Sequence, residues 1–132
     1  MAKELALIVD DNEVNRKLLE YVLEADGFDV CMASNADEAS QVIATLRPHV
    51  VLMDLQLPGT SGFDLTKRLK ADPQTRDIVI IAVTSYAMMG DEQKARAAGC
   101  DGYLSKPIDV KTFAQDVRDM LDAGPTNAPS SD

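Results

Sequence analysis

Four apolar runs in this chain end on residues that can do chemistry. Leu5–Val9 runs into Asp10-Asp11, Val50–Met53 into Asp54, residues 78–83 into Thr84, and Gly102–Ser105 into Lys106-Pro107. Three acids, a hydroxyl and an ammonium therefore stand where buried strands would break into turns. Carboxylates held together repel, and in a partly desolvated cleft a cation or a proton must relieve them. Oxygen ligands without His or Cys favour magnesium or manganese, and so few protein ligands leave room for water and phosphoryl oxygens. A carboxylate can also be the nucleophile toward phosphorus, with the metal and Lys106 offsetting charge on the equatorial oxygens and Thr84 donating a hydrogen bond. Singly, each residue has a plainer reading. Asp10 and Asp11 suit the positive end of a helix, Asp54 a turn, Thr84 a strand, and Lys106 a solvated surface. Their coincidence at four strand ends favours a built site, with Asp54 as its working residue.

Such a site needs a scaffold that gathers strand ends on one rim. Strand-length apolar runs at 5–9, 28–32, 50–53, 78–83 and 103–105 alternate with helix-length segments at 14–25, 36–46, 62–70, 90–98 and 110–122. Strands one, three and four are nearly continuous in Val, Ile, Leu, Met and Ala, as in a parallel sheet covered by helices on both faces. Phe28, Val30 and Met32 alternate with Asp29 and Cys31, which suits a peripheral strand. Asn35 with Glu38, Ser61 with Asp64, and Asp109 read as helix caps, while Gly27 and Gly99 read as stops. Val110, Phe113, Val117 and Met120-Leu121 recur at helical spacing, a stripe that docks the last helix on the sheet. The chain is thus expected to be α/β, a (βα)5 doubly wound parallel sheet in a flavodoxin-like three-layer sandwich. In strand order 2-1-3-4-5, strands one and three are neighbours at the switch point, so Asp10, Asp11 and Asp54 share one pocket beyond the strands' carboxyl ends.

Composition narrows the function. At 132 residues with 45% hydrophobic content, one domain with one core is expected. The balance of 22 acidic against 13 basic residues, a net charge of -9, repels nucleic-acid phosphates and anionic membranes. Direct nucleic-acid binding and membrane insertion are not expected. Cys31 and Cys100 lack metal-ligand spacing and read as small core thiols in a reducing compartment. His49, the single histidine, reads as a surface residue at a strand start, without polar companions. Met1-Ala2-Lys3-Glu4 opens no long apolar segment, and no run reaches the roughly 18 apolar residues of a membrane span. A cytoplasmic protein is expected, with a domain over 1–123 and a disordered tail over 124–132, where Gly, Pro, Ser, Thr and Asn dominate.

These residues resemble the receiver domain of bacterial two-component response regulators over about 3–123. Val9-Asp10-Asp11-Asn12 resembles its acidic metal-binding start, and residues 53–59, Met-Asp-Leu-Gln-Leu-Pro-Gly, its phosphoacceptor turn. Val83-Thr84-Ser85 resembles the switch hydroxyl, and Ser105-Lys106-Pro107 the lysine with its proline. The resemblance implies that Asp54 is phosphorylated and that Asp11, Asp54 and the carbonyl of Gln56 hold magnesium, with Asp10 helping directly or through water. It also implies a cis Lys106-Pro107 bond and an inward turn of Tyr103 when Thr84 moves to the phosphoryl group; the plainer reading of Tyr103 is a half-buried strand aromatic. Gln56 and Tyr86, two residues after the phosphoacceptor and the switch Thr, are the candidates for screening attacking water and setting the phosphate lifetime. The segment 86–92 resembles stretches in single-domain regulators of alphaproteobacterial cell division and polarity, and in receivers of hybrid histidine kinases.

With no output domain expected, the message leaves through the surface. The resemblance implies that a sensor histidine kinase or histidine phosphotransfer protein supplies the phosphoryl group, and that coupling through Thr84 and Tyr103 shifts the face of helix 4, strand 5 and helix 5 toward a downstream protein. A monomer or a phosphorylation-dependent dimer is expected. Such a chain is no conventional enzyme, although it catalyses its own phosphoryl transfer and slow dephosphorylation. A haloacid-dehalogenase-type phosphohydrolase also uses an aspartyl phosphate, but needs a second Asp where this chain has Gln56. A flavodoxin-like nucleotide binder wants a Gly, Ser or Thr phosphate cradle after strand one; Asp10-Asp11-Asn12-Glu13 would repel that phosphate. An adaptor that keeps the fold without the chemistry sits poorly with a full acid, Thr and Lys set.

Overall fold

The computed structural model of the protein describes residues 4–84 and 91–125. Five strands, β1 (Leu5–Val9), β2 (Asp29–Ala33), β3 (Val50–Met53), β4 (Val79–Thr84) and β5 (Gly102–Ser105), alternate with five helices. The helices are α1 (Glu13–Ala25), α2 (Ala36–Leu46), α3 (Gly62–Ala71), α4 (Asp91–Ala98) and α5 (Phe113–Ala123). All strand pairs are parallel, in the order β2-β1-β3-β4-β5. The expected fold and strand order are those observed.

Because strand side chains alternate between faces, the sheet carries two cores. Ala6, Ile8, Leu52 and Ile81 pack with Leu19 and Leu23 of α1 and Phe113 and Val117 of α5. Leu7, Val51 and Ile80 pack on the other face with Ile43 of α2, Leu65 and Leu69 of α3 and Ala95 of α4. Every residue of β3 and β4 is buried, whereas β2, at the sheet edge, leaves Asp29 and Met32 exposed.

Helix starts follow the capping residues, with two differences. Asn35 Oδ1 accepts the Glu38 amide at 2.9 Å and Ser61 Oγ the Asp64 amide at 3.2 Å. Glu38 returns its carboxylate to the amide and hydroxyl of Ser34, at 2.7 and 2.6 Å, one residue before the expected partner. Asp109 caps a turn rather than α5: its Oδ1 accepts the Lys111 amide at 2.9 Å, and its carbonyl accepts the amides of Thr112 and Phe113. Residues 110–112 therefore precede the helix, and Val110 is exposed instead of joining the apolar stripe. Gly27 and Gly99 end their helices at φ of 95° and 116°, where an L side chain is strained.

Long-range polar contacts lock the layers. Lys70 of α3 donates to the carbonyls of Arg76 and Ile78 and to Asp101 Oδ2, which also accepts the Ile80 amide. Arg118 of α5 spans Asp26 and Glu4 and lies over the Phe28 ring. His49 is exposed as expected, yet it has a polar companion: its Nδ1 accepts the Leu5 amide at 3.0 Å. Neither cysteine is in a disulfide; Cys100 is buried and Cys31 only half-buried because β2 is an edge. Among the described residues no helix is long and apolar enough to cross a membrane. Residues 126–132 of the expected tail lie outside the described residues.

Candidate functional site

The parallel register brings the carboxyl ends of β1, β3, β4 and β5 to one rim. The Asp10 amide donates to the Ala33 carbonyl and the Asp54 amide to the Val9 carbonyl, so both acids are set by the last rungs of the sheet. Oxygens of Asp10, Asp11 and Asp54 lie within 4.8 Å of one another. Asp10 and Asp54 are buried, at 2% and 7% exposure, while Asp11 is exposed at the mouth.

Lys106 crosses the rim to meet them. Its amide donates to the Thr84 carbonyl at 2.9 Å, and its Nζ lies 2.7 Å from Asp10 Oδ2 and 3.3 Å from Asp54 Oδ2. Burial works against its ammonium, but the hydrogen bond to Asp10 and the charges of Asp54 and Asp10 outweigh it and hold the lysine above its usual pKa. Three carboxylates against this one ammonium leave two negative charges in the cluster. That all-oxygen set fits a hard divalent cation.

The remaining residues surround this centre. Thr84 is fully buried at the end of β4, opposite Ser105 in register. Tyr103, beside Ala82, is half-buried against the core under α2, α3 and α4. The Gln56 amide donates to Asp54 Oδ1 at 2.9 Å, and its residue is exposed beside the acid. The Lys106-Pro107 peptide is cis, as the resemblance implied. Tyr86 and the segment 86–90 lie outside the described residues.

Sequence reasoning missed three features here. Asn12 caps α1 through the Asn15 amide at 3.1 Å, a role its place before the helix could have signalled. Arg16 Nη1 donates to the Asp10 carbonyl at 2.6 Å, for which no local pattern is a signal. Val14, Leu18 and Tyr21 form an exposed stripe on α1, at 75%, 41% and 74%, on a helix that buries Leu19, Val22 and Leu23. Apolar residues on more than one helical face were the available sign. A separate cavity of about 610 Å³ lies at the opposite end of the sheet, under Arg47, His49 and Arg68; none of the three acids lines it.

A flavodoxin-like sheet with paired acids after β1, an acid after β3, a buried Thr after β4 and a Lys after β5 defines a receiver domain of two-component signalling. The response regulator receiver domain pattern matches residues 6–118, and the chain belongs to that family. The chain is 44% identical over 115 residues to the polar-differentiation response regulator DivK of Brucella anthropi, covering 87% of this chain and 94% of that one. The DivK of Brucella ovis is 43% identical over the same shares. Among solved structures, a putative response regulator of Chloroflexus aurantiacus is 30% identical, with a TM-score of 0.87 over 92% of this chain and 99% of that one. The receiver domain of a Pseudomonas aeruginosa sensor histidine kinase, solved with magnesium in its active site cleft, is 29% identical with a TM-score of 0.83. It matches over 92% of this chain and 99% of its own.

Proposed function

We propose that this receiver domain accepts a phosphoryl group on Asp54 from a sensor histidine kinase or a histidine phosphotransfer protein. The observation that carries the reading is the Asp10, Asp11 and Asp54 cluster with the Lys106 ammonium set between two of its members. Magnesium, or manganese in its place, held by Asp11, Asp54 and the Gln56 carbonyl with help from Asp10, would offset the charge of the carboxylates and phosphoryl oxygens. Asp54 Oδ1 accepts the Gln56 amide and Oδ2 lies toward Lys106; Oδ2 is assigned as the attacking oxygen because the ammonium beside it can offset charge on the incoming phosphoryl group. Its lone pair forms the O–P bond as the donor's P–N bond breaks, and the released imidazole nitrogen keeps that electron pair and takes a proton from solvent. Lys106 stays protonated and faces the transferred group, and the Thr84 hydroxyl donates to it. Gln56 and Tyr86, two residues along the chain from Asp54 and Thr84, are assigned to limiting the access of hydrolytic water.

The exposed α1 stripe of Val14, Leu18 and Tyr21 begins three residues after Asp11 and offers an apolar docking strip to the phosphodonor. Readout runs through Thr84 and Tyr103 to the face of α4, β5 and α5. Ala95 and Ala98 are the buried side chains among those described on α4. Methyl groups bury little area, so α4 moves at low cost.

Acetyl phosphate with magnesium should label the protein on Asp54, as read by intact and peptide mass; undiminished labelling of Asp54→Asn would refute the site. A partner bound equally well by the untreated and the beryllofluoride-activated protein, in a calorimetric titration, would refute the switch.

A further inference from the structure

All four polar atoms of Asp10 are engaged. The amide donates to the Ala33 carbonyl at 3.1 Å, Oδ1 accepts the Asn12 amide at 2.9 Å, and Oδ2 accepts Lys106 at 2.7 Å. The fourth, the main-chain carbonyl, lies one residue past the end of β1 and accepts Arg16 Nη1 at 2.6 Å. Arg16 is half-buried, and among the described residues it forms no ion pair, so the carbonyl is its partner. Glu13, lowered chiefly by its hydrogen bond to Lys17, and Glu38, lowered chiefly by its bond from Ser34, both also feel the Arg16 charge. The guanidinium is therefore held against the turn that presents Asp10 and Asp11.

We propose that Arg16 is a positioning residue for the acid cluster: by holding the Asp10 carbonyl it fixes the β1–α1 turn and so sets the affinity for a divalent cation. This rests on the reading of the cluster as the metal site beside the phosphoacceptor. Without that bond, mutual repulsion of three carboxylates acts on a turn whose carbonyl has lost its donor, and Asp10 and Asp11 splay. A planar, permanently charged guanidinium suits the task better than an ammonium, because its donors are fixed in direction. Arg16 also has an effect of opposite sign. A positive charge near the cluster repels the metal, so its removal by charge alone tightens binding, whereas its removal as a support weakens it. The sign of the change separates the two.

The experiment is a calorimetric titration with magnesium chloride, without phosphodonor, of wild type, Arg16→Met and Arg16→Lys, each checked for folding by circular dichroism. Arg16→Met should bind magnesium about tenfold more weakly, the scale of an outer-shell loss, and Arg16→Lys should lose less. Equal or tighter binding by Arg16→Met overturns the assignment. Should Arg16→Met fail to fold, Arg16→Lys carries the test, and unchanged affinity there overturns it. A wild type that binds magnesium and takes label on Asp54, with variants that match it, removes this assignment alone. A wild type that does neither removes the proposed function with it.

Discussion

Replacing Lys70 with methionine removes one charge from a buried pair and leaves the other behind. The Lys70 and Asp101 side chains are 8% and 1% exposed, and their ion pair is 2.7 Å long. Lys70 uses all three of its protons, on Asp101 Oδ2 and on the carbonyls of Arg76 and Ile78 at 2.9 and 2.8 Å. In Lys70→Met the stem volume stays, two carbonyls lose their donor, and the Asp101 carboxylate keeps its bond from the Ile80 amide but loses the Lys70 charge. Breaking a buried pair from one side costs about 3–5 kcal/mol. With an unfolding entropy of about 2.1 cal/mol/K per residue over a domain of roughly 120 residues, the melting temperature falls by about 12–20 °C. The chain has no tryptophan, so urea unfolding followed by circular dichroism is the assay, with the m-value required to stay constant. The double variant Lys70→Met/Asp101→Leu removes both charges and should recover at least about 1 kcal/mol relative to Lys70→Met, although the Ile80 amide then loses its acceptor. A cost below about 1 kcal/mol for Lys70→Met, or strictly additive effects in the double variant, would refute the reasoning.

Two glycines should respond differently to alanine. At Gly62 a Cβ would stand 2.5 Å from the Asp54 carbonyl oxygen and 2.8 Å from Leu55 Cα, so Gly62→Ala must displace the phosphoacceptor turn. It should cost about 1–3 kcal/mol and slow Asp54 labelling. At Gly102 the nearest atom is Met120 Sδ at 2.5 Å, on a pliable side chain, so Gly102→Ala should lower the melting temperature by less than half as much. A reversed ranking in thermal melts would count against the packing argument. Burial pushes the Cys100 thiol from 9.0 up to about 11. A raised pKa contributes stability that is intact below 9 and is lost as pH climbs through the folded value, so urea midpoints should fall between pH 9 and 11. Lys106, also raised, acts in the same direction above its ordinary 10.5. Cys100→Ala should show a shallower decline over that range; equal slopes in the two proteins would contradict the assignment.

The acids of the site were legible because each ends an apolar run, and an open parallel sheet places the carboxyl ends of its strands on one rim. Caps at Asn35 and Ser61 were legible for a related reason: the partner amide lies three residues along the chain. The same logic misplaced the start of α5, where Asp109 closes a turn before the helix rather than the helix itself. Nothing in that logic separated the apolar residues of α1, of which Leu19 and Leu23 enter the core while Val14 and Tyr21 face solvent.

By itself the sequence determined the alternation of strands and helices, the two-sided burial of β1, β3 and β4, and the set of residues at the strand ends. These rest on local periodicity and on a sheet topology with few alternatives. Only the tertiary structure decided the partners: Lys106 between Asp10 and Asp54, Arg16 on the Asp10 carbonyl, Lys70 with Asp101, Arg118 across Asp26 and Glu4. The physical reason is distance along the chain. Lys106 and Asp10 are 96 residues apart and Arg118 and Glu4 are 114 apart. Which charges meet across such separations depends on how helices settle against the sheet. Even Arg16, six residues from Asp10, reaches its carbonyl only because α1 packs back over the end of β1.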